Sequence, residues 1–367
     1  MNYWQSRLVC RLGLAWCVVA SLSTVKVSAA SPPPLKSPDG RLVVTLQLQD
    51  GIPTWQLDRG EAVLLTRGRL GVQPESAPLG PLETVDVTTT SIREDVATVW
   101  GKFSHYDNHC EQLVWSLQEA GGSQRSLRIA VRAYDQGVAI RYEFPDGGKW
   151  GAAIPLDDGL TEFCFAKDAT AWGYHREHDP LGPQPLSQFH QGGKGADLPL
   201  TLRYSEDTHL AVLEAAIFQQ APFRLRAQSP GNTSFVESFS PSKLPAGSST
   251  SWRVVLVGDR PGDLLVAPLP YCLNPPCRIS DTDWIQPGLA FWDWRAWGAR
   301  TEDGFTYGLD MASWRRFIDF ASKNNVRYLV LDANWYGPEF EPASDPRTSR
   351  DHLVIQPDMT KPQIVRK

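Results

Sequence analysis

The sequence predicts a multidomain chain of the β plus α/β class, a large antiparallel β-sandwich followed by a parallel strand–helix–strand unit. Three observations carry that prediction. From Gly40 to Asp259 short alternating segments are separated by Gly, Pro, Asp and Asn clusters with almost no helical periodicity, the pattern of many short antiparallel strands. Arg260–Ser280 holds five prolines and little periodicity, as a connection would. Beyond it, two short apolar runs flank one amphipathic helical pattern, and such a crossover returns its second strand parallel to the first.

In chain order, Met1–Ala30 has Arg7 and Arg11 ahead of the apolar run Leu12–Val25 and the small-residue pattern Val27-Ser28-Ala29. This is the layout of an export signal, with too few apolar residues to span a bilayer comfortably. The mature protein is therefore expected to be periplasmic or secreted, with no membrane span. Cys110, Cys164, Cys272 and Cys277 remain after Ala30, an even number suited to an oxidising compartment. Cys272 and Cys277 bracket a four-residue loop that a disulfide would close, and Cys110 and Cys164 read either as buried thiols or as a second bridge.

About 337 residues follow the signal, more than one ordinary core needs. Charged residues make up 21% and the formal net charge is −5, without a basic stripe, which argues against a nucleic-acid partner. Fourteen tryptophans point to an aromatic core or to flat ligands such as sugars. Residues 31–259 are read as the sandwich, with Arg41–Gln49, Ile52–Leu57, Ala97–Phe103, Thr161–Phe165, Leu198–Tyr204, His209–Ile217 and Ser251–Val257 among its strands. Ser126–Tyr134 and Gly137–Phe144 form the clearest hairpin, because Gly137 can take positive φ in the turn. Residues 260–287 are the linker.

Residues 288–367 open with Gly288–Trp294, an apolar run ending in an acid between two tryptophans. Asp310 is placed to cap a helix whose apolar face carries Trp314, Phe317, Ile318 and Ala321. Asn324-Asn325 ends it, and Val326–Leu331 is a second strand, followed by Asp332 and then Trp335. In a (β/α)8 barrel the carboxyl ends of the strands form the active face. Asp293 and Asp332 occupy such ends beside indole rings, a pairing that suits sugar hydroxyls and C–H faces. The alternative is that the acids cap loops and the tryptophans pack a barrel rim. His105 and His109 have the spacing of metal ligands on a helix but lie in strand-like sequence, which favours a surface role. His175, Glu177, His178 and Asp179 form a denser cluster, expected either as solvated surface or as lining for a sugar site at the sandwich–barrel junction.

The stretches SPDGRLVVTLQLQDGIPTWQL, RAYDQGVAIRYEFP, HLAVLEAAI, WRVVLVGDRPGDLL, DTDWIQPGLAFWDW and LVLDANWYGPEF together resemble glycoside hydrolase family 97, in the same order. The resemblance spans nearly the whole sequence after the signal. It implies an exported exo-acting α-glycosidase, an α-glucosidase or α-galactosidase, with an N-terminal β-sandwich and the first unit of a (β/α)8 barrel, incomplete at Lys367. It also implies an oligosaccharide substrate and a calcium ion near the active site, with Glu214 as the sandwich's ligand and Glu177 as the second candidate. Trp292, Asp293, Asp332 and Trp335 would line the sugar pocket. The family's catalytic carboxylates lie on later barrel strands, so none is assigned within this sequence. The competing reading is a non-catalytic carbohydrate-binding sandwich or a decayed hydrolase.

Overall fold

A computed structural model describes residues 31–175, 179–189, 195–229, 231–308 and 310–332. They form two compact units, divided between Arg278 and Ile279.

The first unit is built on two large antiparallel sheets. In spatial order, one holds Leu35–Lys36, Leu42–Gln49, Ile52–Arg59, Ala62–Arg69, Glu162–Phe165, Ser234–Ser238 and Arg224–Ala227. The other holds Asp179–Pro185, Thr170–His175, Asp197–Ser205, Thr208–Ala215, Trp252–Gly258, Gly137–Glu143, Ser126–Tyr134, His105–Glu119 and Leu82–Ala97. A small third sheet joins Ser242–Pro245, Ala153–Gly159 and Val72–Pro74. Alternation decides which side chains meet. Leu42, Val44 and Leu46 from the first sheet share a core with Leu113, Trp115, Leu117, Ile129 and Val131 from the second.

The second sheet is buried on its other face too. Cys110, Ala130, Tyr134, Ala139, Trp252, Val254 and Leu256 make a second core, covered by Ala267, Leu269, Cys272 and Leu273. This is why all seven residues of Trp252–Gly258 are buried and why that strand reads as a continuous apolar run. The cover comes from the segment expected as linker. Far from being unstructured, it forms two short helices, Pro261–Val266 and Leu269–Cys272. Cys272 is a buried thiol, so the bridge to Cys277 is not made. Burial pushes Cys110 up to about 11 and Cys272 up to about 12, and neither is a nucleophilic thiolate at neutral pH.

The hairpin Ser126–Tyr134 and Gly137–Glu143 forms as expected, with Tyr134 opposite Gly137. Gly137 has φ +149, and a Cβ there would overlap the carbonyl of Val255, so glycine is required twice over. Ala97–Phe103 is not a strand. It is the loop at the tip of the longest hairpin, Leu82–Ala97 with His105–Glu119, closed by Thr98 N–H on Ser104 O at 3.0 Å. Positive φ at Gly101 breaks the extended run. That hairpin outreaches its neighbour, since Ser126–Tyr134 pairs only with Glu111–Gln118. The last six pairs, about 20 Å at 3.3 Å per residue, are a two-stranded arm. Tyr271 stacks on Tyr106 of this arm at 4.2 Å between centroids.

Between the sheets lies a polar cluster in an apolar core. Arg253 donates from Nε to Glu237 Oε2 at 2.6 Å and from Nη2 to Oε1 at 3.1 Å. Its Nη1 serves Thr250 Oγ1 at 2.6 Å and Ser251 O at 2.8 Å. Thr161 Oγ1 donates to Glu237 Oε1 at 2.9 Å, and the Tyr142 hydroxyl, 2.7 Å from Thr161 Oγ1, accepts from Gly71 N–H. Arg253 and Glu237 are 2% and 0% exposed, so this ion pair links the sheets without water.

The second unit contains Ala290–Trp292 paired parallel to Tyr328–Val330, with the helix Met311–Lys323 between them in sequence. Asp310 caps that helix by accepting Ser313 N–H at 2.8 Å. Asn324 closes it and Asn325 takes φ +55. Both strands are shorter than expected, because Asp293–Ala296 turns into a 3-10 helix. They are also more open. Phe291 packs on Phe317 and Phe320 of the helix, whereas Trp292, Tyr328 and Val330 on the other face are exposed. Ile318, expected on the buried face, is 52% exposed. Among the described residues no helix is long and apolar enough to cross a membrane.

Candidate functional site

Asp293 follows the first strand of the parallel pair immediately, and the turn folds its carboxylate inward to 3% exposure. Its Oδ1 accepts the backbone N–H of Asp332 at 3.1 Å, and its Oδ2 accepts Trp314 Nε1–H at 3.1 Å. One carboxylate thus ties the ends of both strands to the helix. With both oxygens engaged, Asp293 organises the site and is not presented to a ligand.

Asp332 has the opposite character. It is half-buried, and its Oδ2 accepts Trp292 Nε1–H at 2.5 Å. Its Oδ1 has no hydrogen bond among the described residues and can take a ligand hydroxyl. Arg295 lies over the Trp292 ring at 4.8 Å from the centroid. Close by in sequence, Trp294 and Trp297, with centroids 5.2 Å apart, are 40% and 55% exposed. An acceptor held against an accessible indole is what a sugar's hydroxyls and C–H faces match. The structure therefore brings Trp292, Asp293 and Asp332 together, while Trp335 lies outside the described residues. Trp314 was read as a core residue of the helix. Its role as donor to Asp293 left no mark in the spacing.

Glu214 sits on Thr208–Ala215 in the first unit, directly opposite Arg253. Arg253 is taken by Glu237, and Glu214 instead accepts Phe223 N–H at 3.0 Å, Gln220 Nε2–H at 3.2 Å and the Ser251 hydroxyl. Burial raises its pKa above the ordinary carboxylate value, against the opposing pull of these donors. It borders a groove of about 500 Å³ with Asp197, Arg224 and Phe223, where Arg224 is bound to Asp197 at 2.6 Å. Calcium takes six to eight oxygens. Among the described residues no three His, Cys, Asp or Glu side chains cluster to hold a metal, and the Glu214 carboxylate is already engaged by three donors. These residues alone do not fit a calcium ion, and Glu177 lies outside those described. His105 Nδ1 meets Asp95 Oδ2 at 2.7 Å on the exposed arm, a surface pair.

The chain is 28% identical over 329 residues to a probable retaining alpha-galactosidase of Streptomyces bingchenggensis, covering 87% of this chain and 48% of that protein. It is 23% identical over 365 residues to a retaining alpha-galactosidase of Bacteroides thetaiotaomicron, covering 88% and 53%. A glycoside hydrolase family 97 enzyme from a Pseudoalteromonas species, solved in complex with acarbose, shares the fold at TM-score 0.70 and 21% identity, over 83% of this chain and 48% of that one. A beta-arabinopyranosidase structure matches with the same TM-score, over 81% and 50%. Residues 35–276 match the family model described as Glycosyl-hydrolase 97 N-terminal. The chain belongs to glycoside hydrolase family 97, and it spans about half the length of the relatives it matches.

Proposed function

We propose that this chain is the N-terminal part of an exported α-glycosidase acting on terminal α-galactosidic bonds, with α-glucosidic bonds as the alternative substrate. The family match over residues 35–276 carries the reading, and both named relatives are alpha-galactosidases. In this reading the second unit is the first strand–helix–strand step of a (β/α)8 barrel. The free oxygen of Asp332 and the exposed faces of Trp292, Trp294 and Trp297 hold and orient the sugar, and Asp293 keeps them in register. Calcium, which the family resemblance implies, needs oxygens from beyond the described residues.

The test is release of p-nitrophenol from the α-galactoside, the α-glucoside and the β-galactoside. It is run on this chain and on the longest polypeptide its gene encodes, with added calcium and with a chelator. Turnover confined to the α-anomers is expected. Absence of α-specific turnover in both proteins overturns the reading. A second reading rests on the Trp292–Asp332 pair, which can hold a sugar without any catalytic carboxylate: the chain binds sugars without hydrolysing them. Galactose binding without turnover in either protein selects it.

A further inference from the structure

On the outer face of the second sheet lies a pocket of about 470 Å³ that Glu214 does not line. That size is within the range of small-molecule sites. Its floor is Trp252, whose ring carries two guanidinium groups, Arg132 at 5.1 Å and Arg141 at 4.4 Å from the centroid. Register explains the convergence. Arg132 and Arg141 lie on adjacent paired strands and Trp252 on the next, all on the outward side with Ala130 and Ala139.

The hydrogen bonding there is lopsided. Arg141 is bound to Glu143 at 2.6 Å, but Arg132 meets only neutral groups, Gln112 through Nε at 2.9 Å and the Tyr134 hydroxyl. Arg132 makes no ion pair among the described residues, and the buried Nε1–H of Trp252 has no acceptor among them. The acid in the pocket, Glu94, accepts from Asn108 Nδ2 at 3.0 Å and makes no ion pair. Donors exceed acceptors, and one cation lacks an acidic partner among the described residues.

The pocket's rim is held in strained backbone. Ala216 and Gln219 have φ +55 and +57, a region that L side chains enter only when their surroundings compel it. Between them Ile217 and Phe218 are 44% and 55% exposed, and Phe218 lines the pocket. The hydrogen bonds of Glu214 to Gln220 and Phe223 hold the returning limb of this loop. An apolar ring is thus kept in water at the mouth of a donor-rich cavity.

The geometry points to a binding site for an anionic saccharide, a pyranose bearing one carboxylate or sulfate group. The anion takes the terminal N–H groups of Arg132, whose planar donors match either group, beside Arg141, whose Nε and Nη2 stay on Glu143. The sugar's C–H face lies on Phe218, and its hydroxyls reach Ser249 and Asn108. This site is independent of hydrolysis and stands whether or not the chain cleaves glycosides.

Calorimetric titration of the full chain with glucuronate, glucose 6-sulfate, glucose and inorganic sulfate tests it. Glucuronate or glucose 6-sulfate is expected to bind at least tenfold more tightly than glucose, more weakly as salt rises. Arg132→Gln is expected to reduce that affinity about tenfold or more, the scale of a charged hydrogen bond. Phe218→Ala, at an exposed position with little bearing on folding, should weaken the acidic sugars severalfold and leave inorganic sulfate unchanged. Acidic sugars binding no better than glucose overturn the proposal. So does an unchanged affinity in Phe218→Ala, or in Arg132→Gln with a native near-ultraviolet spectrum. Inorganic sulfate binding as tightly as glucose 6-sulfate reduces the pocket to an anion site and overturns the saccharide assignment.

Discussion

Glu237→Gln isolates the electrostatics of the inter-sheet cluster with almost no change of shape. The variant keeps a hydrogen-bonding side chain of the same length but leaves the Arg253 guanidinium, 2% exposed, without its hydrogen-bonded counter-charge, Glu214 remaining nearby but not bonded to it. Thr250 Oγ1 and Ser251 O still accept from Arg253 Nη1, so the loss falls on the Nε and Nη2 bonds at 2.6 and 3.1 Å and on the Thr161 bond to the same carboxylate. Removing one partner of a buried pair costs about 3–5 kcal/mol. With a urea m-value of about 3 kcal/mol per molar for a domain of this size, the midpoint should fall by about 1–1.7 M. The paired replacement Arg253→Met with Glu237→Leu removes both charges, and its stability should lie within about 2 kcal/mol of the parent. Urea unfolding followed by tryptophan fluorescence measures all three. If Glu237→Gln costs less than about 1 kcal/mol, or the apolar pair is as damaging as the single change, the cluster is not a dry ion pair and the reasoning fails.

The remaining predictions are brief. Gly159→Ala places a methyl group where Glu237 Cγ now lies, so it should displace the same carboxylate and lower the urea midpoint as Glu237→Gln does. Glu119, bound to Arg125 at 2.8 Å and to Gly80 N–H, is held down to about 2 by the Arg125 hydrogen bond. Its contribution is complete above the ordinary carboxylate value near 4.5 and is lost as pH falls through about 2. Glu119→Gln should therefore be less stable than the parent at pH 7 and converge on it in acid, as thermal melts across that range would show. Asp293→Asn puts an amide NH2 against either Trp314 Nε1–H or Asp332 N–H, which costs about 1–3 kcal/mol. The second unit's melting transition, read through tryptophan fluorescence, should drop accordingly.

The strands that could be read from the sequence were those with a dry face and a plain turn. Ser126–Tyr134 and Gly137–Glu143 alternate cleanly and meet at a glycine that steric overlap makes obligatory. Leu82–Ala97 escaped notice because it is an edge strand with both faces largely wet, so LETVDVTTTSIREDVA shows no apolar alternation. Neighbouring Ala97–Phe103 misled for the converse reason, since its apolar Val99, Trp100 and Phe103 are exposed loop residues. In the candidate site, the meeting of Asp293 with Asp332 followed from strand ends alone. That Asp293 would be sealed in by Trp314 depended on a contact across 21 residues, which no local period encodes. The Arg132–Trp252–Arg141 stack was invisible for the same reason, since its members are neighbours only through strand order.

The two short helices after Gly258 alter where this molecule can be cut. A chain ended at Asp259, the limit suggested by alternation, would keep every sandwich strand yet lose Leu269, Cys272 and Leu273 from the second core and Tyr271 from the arm. Trp252, Val254 and Leu256 would then face water, and the arm's last six residue pairs would stand as a lone ribbon, a form that is marginal by itself. Such a fragment would be a sticky, half-roofed sheet, prone to self-association. Carrying the cut to Arg278 restores the roof, so the smallest sandwich that can live alone in solution is set by its lid of helices and not by its last strand.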